Sequence, residues 1–81
     1  MPILLKNWLI WVEKENANYH IYVRNKKNLI TKELKLFNDD VRQLSCANYE
    51  KSTNSNYIYI SHSNPRSTYK TILYNLKNDK Y

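Results

Sequence analysis

The sequence predicts an α+β domain: an antiparallel sheet of four to five strands with one helix packed on one face. Three observations carry this expectation. Apolar and aromatic residues alternate in short runs bounded by polar, asparagine-rich segments, which is the signature of strands. One stretch, Asn38-Asp39-Asp40, opens like a helix, with Asn38 as N-cap and two acids in the first turn. The connections are short, which favours antiparallel neighbours and a helix laid on one sheet face.

Trp8-Leu9-Ile10-Trp11-Val12 is apolar, β-branched and aromatic, and Tyr19–Arg24 follows after the polar stretch 13–18, so the two read as a hairpin. The segment 24–28 is the next turn, with Asn25 and Asn28 as candidates for special backbone geometry. Residues 29–37 read as a third strand, followed by a helix from about 39 to 49. Ile30, Leu34, Phe37, Val41 and Leu44 also recur at helical spacing, so one long helix from Thr31 to Tyr49 is the alternative. The order is βββαββ, or ββαββ if 31–49 is one helix. Residues 50–56 form a polar loop, and Tyr57–His62 alternates cleanly as a strand. Pro65 marks a turn at 63–67, because its ring fixes φ and it lacks an N–H for a ladder. Residues 68–76 are a partner strand, and 77–81 a frayed tail.

A chain of 81 residues makes one small domain, 1–81, with a thin core. It has little room to enclose a cofactor, so a shallow site or a flat binding face is expected. Glycine is absent. That removes the phosphate-cradling P-loop, the Gly-rich dinucleotide turn and the nucleophile elbow together. The apolar start, with Pro2, Ile3, Leu4 and Leu5, lacks the basic lead and small-residue cleavage site of a signal peptide, and no apolar run reaches the ~18 residues that cross a bilayer. No membrane association is expected. The single cysteine, Cys46, excludes an internal disulfide and reads as a small buried residue on the helix, in keeping with a cytoplasmic protein. Two histidines and one cysteine without close spacing give no metal site, and no cofactor is implied. Abundant Asn, Lys, Ile and Tyr are the residues of AT-rich codons and suit a phage or other mobile element.

Alternation puts Trp8, Ile10, Val12, Tyr19, Ile21 and Val23 on one face, with Leu34, Leu36, Ile58 and Ile60, under a helix face of Val41, Leu44 and Ala47. The opposite face then shows Trp11, His20, Tyr22, Arg24, Tyr57 and Tyr59, with Lys35 nearby. Rings spaced along strands with cations at the rim suit single-stranded nucleic acid, because bases stack on the rings and phosphates meet the cations. The net charge of +6 is uneven. Arg24, Lys26, Lys27 and Lys32 fall in one acid-free stretch, and Arg66, Lys70 and Lys77 in another. If the 24–27 turn lies near Arg66, they form one patch that attracts polyanions.

The favoured function is a non-enzymatic protein that binds nucleic acid or a nucleoprotein through a basic, aromatic sheet face. Its candidate residues are Trp11, His20, Tyr22, Arg24, Lys26, Lys27, Lys35, Tyr57, Tyr59, Arg66 and Lys70. One alternative is a mobile-element inhibitor or adaptor that docks on a larger nucleic-acid-handling host protein, since Tyr, Trp and Arg are frequent interface anchors. A lesser alternative is a metal-free ribonuclease toxin using His20, His62, Arg66 and a nearby Tyr. Open strand edges also permit a homodimer.

Overall fold

Seven strands, and no helix among the described residues, make up the computed structural model, which describes residues 2–16, 18–35, 43–63 and 70–81. The strands are β1 (Ile3–Leu4), β2 (Trp8–Glu15), β3 (Asn18–Asn25), β4 (Thr31–Glu33), β5 (Gln43–Asn48), β6 (Tyr57–Ser63) and β7 (Lys70–Asn75). They form two antiparallel sheets, ordered β1-β2-β3-β4 and β5-β6-β7. This overturns the α+β expectation of one sheet under a helix.

The β2–β3 hairpin is where the sequence placed it. Its ladder pairs Ile10 with Val23, Trp11 with Tyr22 and Val12 with Ile21. Directly opposed residues of an antiparallel pair point to the same face. Ile10, Ile21 and Val23 are therefore inward and essentially buried, whereas Trp11, His20, Tyr22 and Arg24 look outward. Asn16 in the connecting turn has φ 51°, the left-handed geometry an asparagine tolerates best after glycine.

The next turn departs from expectation in an instructive way. Asn25 and Asn28 act through their side chains. Asn25 Oδ1 accepts from the Lys27 and Asn28 N–H groups, and Asn28 Oδ1 accepts from Ile30 N–H. The left-handed residue is Leu29, with φ 63°. The third strand is only Thr31–Glu33, shorter than 29–37; Leu36 and Phe37 lie outside the described residues.

The proposed helix over 39–49 is replaced by strand β5 across 43–48. The proposed N-cap Asn38, with Asp39, Asp40 and Val41, lies outside the described residues. Strand geometry turns Leu44 and Cys46 to one side, opposite His62 and Ile60, and Ala47 to the other, opposite Tyr59. A helix would have put Leu44 and Ala47 together. Tertiary pairing decides the matter, because β6 offers an apolar row that only a strand can match. Cys46 accordingly sits on a strand, half-buried, and burial pushes its thiol up to about 11.

The two sheets share one core. Ile3, Leu5, Ile10, Ile21, Val23 and Leu34 from the first pack with Ile58, Ile60, Tyr74 and Leu76 of the second. Sheet-on-sheet burial does what the helix was expected to do. Each fully buried aliphatic side chain contributes roughly 1.5–3 kcal/mol. Polar links join the sheets at one end. The Trp8 indole donates to Asn56 Oδ1 at 2.9 Å and Lys6 N–H to Thr53 O at 2.7 Å, while Leu76 N–H, donating to Asn56 O at 2.7 Å, extends the β6–β7 pairing of the second sheet. Lys32 Nζ meets Asp79 Oδ2 at 2.5 Å.

Residues 77–81, where the sequence suggests fraying, turn back on the second sheet. Asn75 and Lys80 form a bridge, and Tyr81 stacks on Tyr74 with centroids 6.0 Å apart. Among the described residues, no helix is long and apolar enough to cross a membrane.

Candidate functional site

The aromatic residues that the sequence grouped on one face stand on two opposite outer faces. Trp11, His20, Tyr22 and Arg24 are on the outside of the first sheet, while Tyr57 and Tyr59 are on the outside of the second. The division follows from the topology. A single continuous sheet would have made one platform; two sheets sharing a core turn their outer faces away from each other.

The outer row of the second sheet carries no charged side chain among its described residues. It holds Ser45 and Ala47 from β5, Tyr57, Tyr59 and Ser61 from β6, and Thr71, Leu73 and Asn75 from β7. Tyr49, just past β5, closes a ring cluster. Its centroid is 5.7 Å from Tyr57 and 5.5 Å from Tyr59, the latter edge-on. All three tyrosines are more than a third exposed, so their π-faces are open to a flat ligand. Ser61 and Thr71 share a hydroxyl hydrogen bond of 2.8 Å farther along the same face.

The positive charge gathers elsewhere, at the end of the molecule where the loops meet. The turn 26–30 and the C-terminal turn face each other across a cleft of about 180 Å³, lined by Trp8, Ile30, Lys32, Lys77 and Asp79 among others. Lys26 ties the turn to the end of β1, donating from Nζ to Leu5 O at 3.1 Å and from its backbone N–H to Asn7 O. Lys6 adjoins this link in sequence, and Lys80 follows Asp79. Lys6, Lys26, Lys27, Lys32, Lys77 and Lys80 thus occupy one end. Asp79 is the one acid lining the cleft among the described residues, and Lys32 and the Tyr74 hydroxyl already engage it. The Lys32 hydrogen bond, followed by that of Tyr74, holds the Asp79 carboxyl below its ordinary range against the opposing effect of burial. Burial and the Asp79 contact push the Tyr74 phenol up to about 12.

One residue joins the ring cluster to the lysine end. Asn75 donates from Nδ2 to the Tyr57 hydroxyl at 3.3 Å, and its Oδ1 accepts from the Lys77 N–H at 3.0 Å and the Asn78 N–H at 3.2 Å.

Of the candidate set, Tyr57 and Tyr59 share the outer face of the second sheet with Tyr49, and Lys77 adjoins them through Asn75; Lys26 is tied to Leu5 and Asn7 of the first sheet, with Lys27 next to it in the turn. Tyr49 went unread because its segment looked helical, although its spacing from Ala47 is the strand signal. Lys77 and Lys80 sit in the expected tail. Lys70 is at the far end of β7, opposite His62, and does not join Lys26 and Lys27. Arg66 lies outside the described residues.

The first sheet presents different chemistry. Trp11 and Tyr22 stack with centroids 5.7 Å apart and planes at 24°. Glu13 accepts from the Trp11 indole N–H at 3.1 Å, and Glu33 Oε1 lies 2.6 Å from His20 Nδ1. Lys35 is 4.0 Å from Glu33, and Arg24 donates to Thr31 Oγ1 at 3.3 Å. Desolvation, then Glu33, Glu13 and Glu15, raise the pKa of the Tyr22 phenol. His20 and His62 are on different sheets, His62 in the inward row with its pKa lowered by desolvation and Lys70. They do not converge on one reacting centre. Among the described residues, no group of three His, Cys, Asp or Glu side chains gathers in a way that holds a metal ion.

No protein-family model, curated protein or solved structure matches the chain.

Proposed function

We propose that the protein binds single-stranded nucleic acid along the outer face of its second sheet and the adjoining lysine end. The observation that carries this reading is the continuity of the two surfaces through Asn75, which touches the Tyr57 hydroxyl on one side and the Lys77 backbone on the other. Open rings set beside a cluster of ammonium groups are what an unpaired strand requires, since each base stacks and each phosphate meets a cation. The absence of carboxylates on the described ring face supports it, because an acid there would repel the phosphates.

Bases stack on Tyr49, Tyr57 and Tyr59, and the phosphates pass over Lys77 toward Lys26 and Lys27. Recognition is tolerant of sequence, because every base has a π-face and no fixed donor–acceptor code is read. The cleft is smaller than the roughly 300 Å³ of ordinary small-molecule sites, which suits it to a phosphate group at the end of the track. The test is fluorescence anisotropy with labelled oligo-dT and oligo-rU of about 20 nucleotides at about 50 mM salt. Binding at micromolar protein is expected, and an unchanged signal would rule the reading out.

A further inference from the structure

The outer face of the first sheet has its own charge balance, and it opposes that of the whole protein. Among the described residues, Glu13 and Glu15 on β2 and Glu33 on β4 share this face with two cations, Arg24 and Lys35. It is thus slightly acidic on a chain of net charge +6. The carboxylates are not scattered. Glu13 follows Trp11 in the outward row of β2 and accepts its indole N–H, while Glu33 stands directly opposite Tyr22. Each ring of the stacked Trp11–Tyr22 pair therefore has a carboxylate beside it, Glu13 next to Trp11 and Glu33 next to Tyr22.

An apolar groove of about 400 Å³, lined by Pro2, Leu9, Trp11 and Val12, adjoins the pair. Leu4, which pairs with Leu9 from the short edge strand β1, is 62% exposed. Nothing in the nucleic-acid reading uses this face, and its acids would repel a phosphate backbone.

We propose that this face docks an arginine-bearing segment of a partner protein, the guanidinium lying on the Trp11–Tyr22 pair between Glu13 and Glu33 and a neighbouring apolar side chain filling the groove. The charge complementarity decides the occupant. A planar cation gains from the ring quadrupoles and from the two carboxylates at once, while an anion gains from neither. Arginine fits better than lysine because it stacks flat and offers several donors in one plane. Glu33 keeps an oxygen for it, since Oε1 faces His20 and, among the described residues, Oε2 meets Lys35 alone, at 4.0 Å. The protein then joins two partners, a nucleic acid on one side and a polypeptide on the other.

The test is selection of a random peptide library on the immobilised full chain, with parallel selections on Trp11→Ala and on the double variant Glu13→Gln, Glu33→Gln. Circular dichroism checks that each variant folds, and the double variant preserves ring packing and side-chain shape. The expected result is enrichment of arginine next to Leu, Ile, Val or Phe by about fivefold over the library on the native chain, falling to background on both variants. Replacing that arginine by citrulline in a selected peptide should abolish the shift of the Trp11 indole N–H in a titration followed by NMR. Three results would overturn the proposal: no arginine enrichment, equal enrichment on the double variant, or oligonucleotides shifting Trp11 as strongly as the peptides. A dimer of this chain that Trp11→Ala dissociates would overturn it too, by making the occupant a second copy.

Discussion

Asn75 and Tyr57 stand opposite each other on β7 and β6, and the asparagine amide donates to the tyrosine hydroxyl at 3.3 Å. The same side chain accepts two backbone N–H groups of the C-terminal turn, so one residue sets both the ring of Tyr57 and the position of Lys77. Asn75→Ala removes all three hydrogen bonds. We expect a loss of about 1–3 kcal/mol in urea unfolding, because the turn N–H groups lose their acceptor. Oligonucleotide affinity should fall with it, and Asn75→Asp, which keeps the acceptor and loses the donor, should recover most of the stability.

Leu29 is an exposed leucine held at φ 63°. Left-handed geometry costs a residue with a Cβ roughly 1–2 kcal/mol, and asparagine bears it better. Leu29→Asn is therefore expected to raise the unfolding free energy by about 0.5–1 kcal/mol, with no loss of core contact. Thermal denaturation reads this directly, and a lower midpoint would show that the leucine side chain contributes packing after all.

Lys32 and Asp79 clasp the two sheets at the lysine end. The Asp79 pKa is depressed in the folded chain, so the stabilisation is present above the ordinary unfolded value of about 3.9 and is lost as pH falls through the folded value. Both side chains are nearly half exposed, which limits the pair to less than about 1 kcal/mol. The native chain should be slightly more stable than Asp79→Asn in urea at neutral pH, and the gap should close on going below about pH 4.

The Cys46 thiol, raised to about 11 by burial from a reference of 9.0, is expected to alkylate about a hundredfold more slowly than an exposed cysteine at pH 8. Iodoacetamide labelling followed by mass spectrometry checks this. Full reactivity should return in urea.

The strands carried by alternation were legible in the sequence. Ile10, Ile21 and Val23 inward, and Trp11, His20 and Tyr22 outward, follow from a period of two and need no partner to be known. So does Tyr57–His62, where Ile58 and Ile60 are fully buried. Its partner strand at 68–76 was legible too, as β7; the third strand of that sheet, β5, was not, because Leu44 and Ala47 fit a helical stripe as well as Leu44 and Cys46 fit a strand. Only the pairing of Cys46 with Ile60 settles which period is used. That one ambiguity displaced the whole platform. With a helix at 39–49, the rings of Tyr22 and Tyr57 belong to one sheet; with β5 in place, they face opposite ways. Recruitment of Lys77 and Lys80 depends on the backbone bridge between Asn75 and Lys80, a contact that leaves no local pattern in the sequence.

We propose that the tyrosine face and the lysine end act as one surface for a single strand. The most direct measurement is the salt dependence of oligo-dT affinity for the native chain, for Tyr57→Ala with Tyr59→Ala, and for Lys26→Ala with Lys27→Ala and Lys77→Ala. Losing the rings is expected to weaken binding by about 1–3 kcal/mol per stacked base with the salt slope unchanged. Losing the lysines should flatten that slope by about 0.7 for each phosphate contact removed. Binding that is indifferent to both sets, or that falls instead with Trp11→Ala, would contradict it.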